Sequence, residues 1–431
     1  MLVRRKGEVM STEINIKKIV GYFLIYFMLI WNQTNLGEIY LKNYSLLILF
    51  FFAIVLFLQS KKMSIWCGMC LISLIWFAII LRYTVGGIGM QAIISFFSSV
   101  YITGVTVVYN KEKVLTRVFN TIVFLAIVSL ILWLLCLILP NFYEKYVPLY
   151  RTPMTYKLYI DSHKYKEFYY MARGLFLYTM REVDKWKNTG IFTEPGIYQM
   201  VLNTGIFIGL FMNEKIFCKK LKYKLLILVI TLFTTQSTTG MIGIIVILFF
   251  YLTLSYKKKN IFSKKNFLIL ICCAIVLLFI DYQIRDTESI FYISIIEKLF
   301  PKGRISLVDN ASSFARVGTI LISIKSMIQH PLGIGYDNLH LLLKTEETGF
   351  VAAEILAFGA VWGIFPLTFV LWWIFSPLYN KISKNINFLF IILYVNTLLA
   401  QTSMFYPILI LIPLTLKYGA INNIIKKNKE K

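Results

Sequence analysis

Two side chains suited to proton transfer lie in two long polar segments, residues 140–195 and residues 285–349. Glu194 directly precedes Pro195 and Gly196 at a predicted helix entrance, and His340 lies in the second segment. A carboxylate or a neutral imidazole can take the proton from an attacking hydroxyl group. Glu194 has a second interpretation, because a carboxylate here can cap the helix by accepting backbone N–H bonds. Both roles stay open for Glu194.

Cationic side chains in the first segment suit a substrate that carries phosphate. Arg173, Arg181 and Lys187 lie there among nine tyrosines, whose flat rings with polar tips suit sugars. The competing interpretation is an amphipathic helix that rests on lipid headgroups. Four residues have the helical spacing that this interpretation requires: Phe168, Met171, Leu175 and Tyr178. Arg173 and Arg181 lie off that stripe, and we prefer them as phosphate ligands.

The second segment contains a predicted helix from Ser312 to His330. One stripe of this helix is apolar: Phe314, Val317, Leu321, Ile324 and Ile328. Another stripe is polar: Arg316, Thr319, Ser323, Ser326 and His330. We expect the apolar face to lie on apolar surface and the other face to be polar. Arg316 and His330 are about 21 Å apart on a straight helix, so they cannot both contact one phosphate.

A turn follows this helix and supplies further candidate substrate contacts. Pro331 ends the helix, and Gly333, Gly335 and Asp337 come directly after it. His330 is the last candidate on the helix itself. The G-x-G spacing does not follow a predicted strand, which excludes a dinucleotide-binding motif.

The sequence does not imply a metal ion or another cofactor. The outer segments contain no Asp-x-Asp pattern, and no histidine and carboxylate have metal-ligand spacing. A P-loop and a G-x-S-x-G motif are also absent. These absences leave the familiar routes of hydrolysis without support.

The composition predicts an all-α, polytopic membrane protein. Hydrophobic residues form 58% of 431 residues and the mean hydropathy is +0.70, with repeated apolar runs near membrane-spanning length. We predict about twelve spans, near residues 17–36, 44–59, 63–81, 88–109, 118–139, 196–213, 223–236, 239–256, 266–283, 350–375, 386–401 and 403–418. The resulting organisation is an N-terminal bundle (1–139), a first outer loop (140–195), central spans (196–284), a second outer loop (285–349), and C-terminal spans with a basic tail (350–431). The outer loops are expected to carry amphipathic helices.

The charge distribution predicts the orientation of the chain. Its 45 Lys and Arg residues outnumber its 21 Asp and Glu residues, giving a net charge of +24. Short basic loops and the basic C-terminal tail fall on the cytoplasmic side when the N-terminus is cytoplasmic. This charge is therefore a topology signal and a match to anionic lipid, not a nucleic-acid footprint. Both polar loops then lie on the outer side of the membrane.

Three short stretches resemble the O-antigen polymerase and O-antigen ligase superfamily, which includes the Wzy-type polysaccharide polymerases. The first runs from Lys187 to Gly196 (Lys-Asn-Thr-Gly-Ile-Phe-Thr-Glu-Pro-Gly), the second from Ser237 to Gly240, and the third joins Arg316 to the turn at 330–335. The resemblance implies a GT-C-like fold and an inverting, metal-independent glycosyl transfer from a polyprenyl-diphosphate-linked oligosaccharide. It implies Arg316, Glu194 and His340 as catalytic candidates. Tyr198 and Ser237 join the substrate contacts.

The departures from the family pattern favour a polymerase over a ligase. Lys187 and Thr238 stand where the family has arginine, and Gly349 and Phe350 stand where ligases have His-Asn. Expected partners are the lipid-linked substrates, the bilayer, a flippase and a chain-length regulator. The alternatives are an O-antigen ligase, a lipid-linked oligosaccharide flippase and a structural envelope protein. A flippase would need a charged cavity inside the membrane.

Overall fold

The structure is a computed structural model. It describes residues 2–84, 89–161, 164–182, 185–212, 220–254, 283, 311–345, 353–379, 381–401 and 405–418. The predicted span at 266–283 lies outside the described residues, apart from Gln283. The backbone of Arg316 is described, whereas its side chain lies outside the described part.

Helices dominate the described chain. They are α1 (Leu2–Ile30), α2 (Ser45–Gln59), α3 (Lys61–Thr84), α4 (Met90–Asn110), α5 (Val114–Ile138), α6 (Pro140–Tyr146), α7 (Pro195–Phe207), α8 (Lys220–Thr234), α9 (Thr238–Leu254), α10 (Ala311–Gln329), α11 (Tyr336–Thr345), α12 (Glu354–Trp362), α13 (Ile364–Tyr379), α14 (Lys384–Ala400) and α15 (Pro407–Tyr418). Three strands are also described: β1 (Leu149–Asp161), β2 (Lys164–Arg173) and β3 (Met180–Arg181).

Several of these helices suit a membrane by length and composition. In the described residues, four helical stretches are long and apolar enough to cross a bilayer: Gly37–Gln59, Lys61–Tyr83, Met90–Ile138 and Pro195–Met212. The third contains both α4 and α5. Shorter apolar helices include Thr238–Leu254, Ile364–Tyr379, Lys384–Ala400 and Pro407–Tyr418. These helices support an all-α membrane protein.

Helix α4 is the centre of the N-terminal bundle and packs against α1, α2, α3 and α15. Small polar residues allow this close packing, because Ser98, Ser99 and Thr103 are fully buried and hydrogen bond to carbonyls within the membrane helices. A Cβ atom on Gly104 would lie 2.7 Å from Met63 Cε. The neighbouring helix therefore approaches the α4 backbone directly.

The segment predicted as the first outer loop forms an antiparallel sheet in the order β1-β2-β3, so the competing interpretation of an amphipathic helix with the Phe168–Tyr178 spacing is wrong. Tyr156 pairs with Phe168, and Tyr159 pairs with Tyr165. Dense tyrosine alternating with lysine suits paired strands, and this preference prevailed over the helical spacing of four apolar residues.

The helix predicted in the second loop is confirmed as α10, within two residues at each end. The burial of its two faces differs from the expectation, which was that the polar face would be exposed to water. Thr319, Ser323 and Ser326 are buried, while Leu321 and Ile328 are 63% and 74% exposed. Small hydroxyl residues permit close helix packing, and exposed apolar residues suit lipid. The face of α10 that packs on the protein is therefore its polar one.

The predicted span at 350–375 is interrupted within its described part. Helix α12 ends at Trp362, Gly363 adopts φ +91°, and α13 begins at Ile364. Glycine permits this left-handed conformation at low cost. Helix α10 packs on α12, and a Cβ atom on Gly359 of α12 would lie 2.4 Å from Met327 Sδ.

Candidate functional site

Residues 188–193 form a buried loop that leads to Glu194. Asn188 fixes the start of the loop: its backbone N–H donates to Thr234 O at 3.0 Å. Its Nδ2 group donates to Thr234 Oγ1 at 3.0 Å and to Ser129 Oγ at 3.3 Å. Buried polar groups of this kind are costly unless paired, so these bonds hold the loop against α5 and α8.

Gly190 lies above the ring of Tyr198 inside this loop. It adopts φ +57°, and a Cβ atom there would lie 2.8 Å from the Tyr198 ring. The Tyr198 hydroxyl is hydrogen bonded to Ser129 Oγ at 2.7 Å, and its side chain is 1% exposed. Tyr198, predicted as a substrate contact, therefore supports the loop from below.

Replacing Gly190 with alanine should destabilise the folded protein by roughly 2 kcal/mol or more, because the left-handed backbone and the Tyr198 contact both oppose a Cβ atom. The measurement is the melting temperature of the detergent-purified protein. Gly68→Ala is the matched control, since its Cβ atom would meet only Tyr101 Oη, at 3.8 Å. Equal melting temperatures for the two variants would contradict the prediction.

Glu194 occupies the N-cap position of α7 without capping it through its side chain. Its extended backbone (φ −137°, ψ 143°) places its carbonyl to accept the N–H groups of Ile197 and Tyr198. The carboxylate makes no capping hydrogen bond, and the residue is partly exposed. Of the two predicted roles, the side-chain cap is absent from this structure, and the carboxylate stays available for chemistry.

Sequence reasoning missed a group of residues that supports Glu194 from the end of α1. Gln33 O accepts hydrogen bonds from Thr193 N at 2.9 Å and from Thr193 Oγ1 at 3.1 Å. Gln33 has φ +65°, and its N–H donates to the buried carboxylate of Glu38 at 3.3 Å. Glu38 also pairs with Lys42 at 3.0 Å. Glu38 is therefore positioned to hold Gln33, and through it the residue before Glu194.

The second motif meets the first where α9 packs on α7. A Cβ atom on Gly240 would lie 2.8 Å from Gln199 Cβ, so only glycine permits this approach. Gly240 O accepts a hydrogen bond from Asn203 Nδ2 at 3.3 Å, and the same group donates to Gln199 Oε1 at 3.0 Å. Ser237 immediately precedes α9 and is partly exposed. Two of the three motifs thus share one end of the bundle.

Helix α14 reaches the same end. Asn396 Nδ2 donates to Thr239 O at 3.2 Å, and a Cβ atom on Gly196 would lie 1.9 Å from Gln401 Nε2. Gln401 therefore lies against the entrance of α7 at Gly196, which is two residues beyond Glu194. The signal for Gln401 was weak in the sequence, because its partner lies far away along the chain.

Arg173 has a structural role in the first outer loop. Its Nε group pairs with Glu182 at 2.7 Å, and its Nη1 group donates to the carbonyls of Glu144 and Val147 at 2.7 and 2.9 Å. Lys185 pairs with Glu182 at 3.0 Å and with Glu144. The hydrogen bond from Lys185 lowers the pKa of Glu144 and raises the pKa of Lys185. Arg173 is thus committed to holding the loop together.

Arg181 and Lys187 both precede the buried loop in the chain. Arg181 lies on β3 opposite Ala172, and it is 6% exposed. Lys187 is partly exposed, and its Nζ atom lies 5.9 Å from the ring centroid of Trp186. Their roles as phosphate ligands stay predictions.

The third motif packs its glycine turn on the junction between α12 and α13. A Cβ atom on Gly333 would lie 2.4 Å from Val361 O. Ile334 N donates to Ala360 O at 2.9 Å, and Gly335 N donates to Val361 O at 3.2 Å. These glycines therefore have a packing function, and the two N–H groups serve the protein instead of a phosphate.

The remaining candidates lie beside this turn. His330 and Asp337 are exposed, and His340 is partly exposed. The His340 ring stacks on Tyr336, with centroids 6.1 Å apart and planes 12° apart. Among the described residues, no group of three or more His, Cys, Asp or Glu side chains could hold a metal ion.

Comparison with known proteins addresses the second and third motifs. Residues 224–371 match the family model described as O-Antigen ligase. This range includes Ser237, Arg316 and the turn at 330–335, and it begins after Glu194. No curated protein and no solved structure matches the chain. The family match confirms the resemblance to the O-antigen polymerase and ligase superfamily.

Proposed function

We propose that this chain is a polymerase of bacterial surface polysaccharide. It transfers a polyprenyl-diphosphate-linked oligosaccharide chain to the non-reducing end of a lipid-linked repeat unit, at the outer face of the cytoplasmic membrane. The observation that carries this proposal is the state of the Glu194 carboxylate. It lies at the end of a buried loop, is partly exposed and makes no capping hydrogen bond. The family match at residues 224–371 supports the same class of chemistry.

The reaction needs a base and charge stabilisation, but no redox step. The acceptor hydroxyl oxygen attacks the anomeric carbon of the donor, a new C–O bond forms, and the bond to the diphosphate oxygen breaks. Glu194 takes the hydroxyl proton, and the bonding electrons leave with the polyprenyl diphosphate. Attack opposite the departing group inverts the anomeric configuration. His340 is the alternative base, since imidazole also suits this transfer.

Cations stabilise the negative charge that develops on the leaving diphosphate. Arg316 is the first choice, because it is the arginine of the third motif and shares a stripe with Thr319 and Ser323. Arg181 and Lys187 are next, since both lie in the stretch just before the loop that leads to Glu194. Arg173 ranks below them because its guanidinium already has three protein contacts.

An O-antigen ligase is the second candidate, favoured by the description of the matched family. The polymerase is preferred because Gly349 and Phe350 stand where the ligase branch usually has a His-Asn pair. A flippase and a chain-length regulator are proposed as partners of the polymerase.

The test is gel analysis of surface polysaccharide in a deletion strain, with and without the complementing gene. Loss of a polymerase should leave single repeat units on the surface, and complementation should restore the ladder of long chains. Loss of a ligase should instead leave long chains on the polyprenyl carrier. Loss of a flippase should remove all repeat units from the surface. Either of the last two patterns would reject the polymerase.

A further inference from the structure

A basic cleft opens at the junction of α1, α2, α4 and α5, and we call it the basal cleft. It has a volume of about 620 Å³, within the range of small-ligand sites. The polar residues used below all line it: Lys17, Asn110, Lys111, Glu112, Lys113 and Arg117. Helix α5 starts beside the cleft, and it contacts the buried loop that leads to Glu194 at Ser129. Ser129 lies about 18 Å beyond the cleft residue Arg117 along the helix, so the cleft is separate from the candidate site.

The lining of the basal cleft is strongly cationic. Three lysines and Arg117 line it, whereas Glu112 is the single carboxylate among the lining residues. Within the part of the chain that the structure describes, none of these four cations forms an ion pair. Uncompensated cations in a concave site concentrate anions there.

Arg117 is held in the wall of the cleft. Its Nη1 group donates to Asn110 Oδ1, and its guanidinium carbon lies 5.7 Å from the Tyr22 ring centroid. Asn110 is itself fixed, since its Nδ2 group donates to Thr106 O at 2.9 Å. A Cβ atom on Gly21 would lie 2.1 Å from Arg117 Nη1, so glycine leaves the space that the arginine uses. Only one of the five guanidinium N–H donors serves Asn110.

The corner between α4 and α5 presents two of the lysines. Lys111 adopts φ +48° and ψ −129°, a conformation that side-chain-bearing residues rarely adopt. The corner then continues through a single turn, Lys111–Lys113, into α5. Strained backbone of this kind is found at ligand-binding positions, where surrounding structure enforces it.

Exposed apolar side chains are present on two of the helices that contribute to the cleft. Ile16, Ile19 and Phe23 of α1 are each at least 60% exposed, and Leu58 of α2, beside the lining residue Gln59, is 78% exposed. A cationic cleft on helices that also expose apolar surface matches a molecule with an anionic head and hydrocarbon tails. Inorganic phosphate would bind in the cleft without contacting this apolar surface.

We propose that the basal cleft binds the phosphate of an anionic phospholipid, whose acyl chains lie along α1 and α2. Basic clefts between membrane helices bind such headgroups on the side where anionic lipid is enriched. The proposal is independent of the polymerase assignment, because the cleft lies at the start of α5 and shares no residue with the candidate site.

The test uses the full chain purified in detergent and titrated with phosphatidylglycerol, with bound lipid measured by native mass spectrometry. The Lys111→Gln/Lys113→Gln double variant should bind phosphatidylglycerol roughly 30-fold more weakly, because each basic residue near an anionic lipid contributes about a factor of five. Phosphatidylcholine should bind weakly to both proteins, since its headgroup has no net charge.

The matched control is Lys220→Gln/Lys384→Gln, which removes two exposed charges from the starts of α8 and α14, outside the cleft. This control should bind phosphatidylglycerol like the wild type. Equal losses in both double variants would overturn the proposal in favour of general surface charge. Full displacement of the lipid by glycerol phosphate would show that the acyl chains contribute nothing to binding. The cleft would then be a site for a free anion, and the phospholipid proposal would be overturned. An unchanged melting temperature without lipid shows that both variants fold.

Discussion

Replacing Glu194 with glutamine should abolish long-chain polysaccharide while leaving a folded protein in the membrane. Glutamine keeps the size of the side chain but cannot take a proton from an acceptor hydroxyl. Loss of a general base lowers the rate by roughly 100-fold or more. The backbone carbonyl of Glu194, which caps α7, is unchanged by the substitution. Polymer length on gels and the amount of protein in membranes are the two measurements.

The control for this variant is Glu144→Gln. Glu144 belongs to the same segment as Glu194, residues 140–195, and it pairs with Lys185. An exposed ion pair contributes little to stability, so this variant should make long chains. If Glu194→Gln also made full-length polymer at normal protein levels, Glu194 would not be the base. The same assay on His340→Gln would then decide whether the imidazole has that role.

The positions of the helices could be predicted from sequence because each apolar run is a local signal. Helix α10 and the break at Gly363 illustrate the difference between a local sequence pattern and a contact from a distant part of the chain. The α10 stripe was visible in its own residues. The break at Gly363 depends on the backbone of the turn at 331–335, which approaches from another element.

The faces of α10 could not be assigned correctly from its own pattern. A stripe of Thr319, Ser323 and Ser326 faces water in a soluble protein, but here it is buried. In a membrane the solvent is apolar, so an exposed face can be apolar and small polar residues can pack. The strands of the first loop could not be recognised for a different reason. Tyrosine-rich strands and an aromatic interfacial helix have similar compositions.

The surroundings of Glu194 were also hidden from the sequence. Glu194 itself was found by its position before Pro195 and Gly196. Glu38 and Gln401 were not, because they reach this region from distant parts of the chain. Contacts between distant residues leave no mark in local spacing. A catalytic candidate can therefore be named from a motif, whereas the residues that position it require the fold.

Replacing Arg316 with alanine should also abolish polymer, by roughly 100- to 1,000-fold in rate, because an alanine cannot stabilise charge on the departing diphosphate. Arg316→Lys should restore part of the activity. Lysine keeps the positive charge but not the two-point hydrogen bonding of a guanidinium group to phosphate. The measurement is transfer between purified lipid-linked oligosaccharides by the detergent-purified protein.

Lys325→Gln is the control on the same helix, because Lys325 is exposed and lies nine residues beyond Arg316 on α10. It should retain normal activity. The double variant Glu194→Gln/Arg316→Ala separates a shared site from two independent effects. Groups that act on one transition state are strongly non-additive, so the double variant should be little slower than the slower single variant. Rate losses that multiply fully would mean that Glu194 and Arg316 act in different steps, and the single-site mechanism would fail.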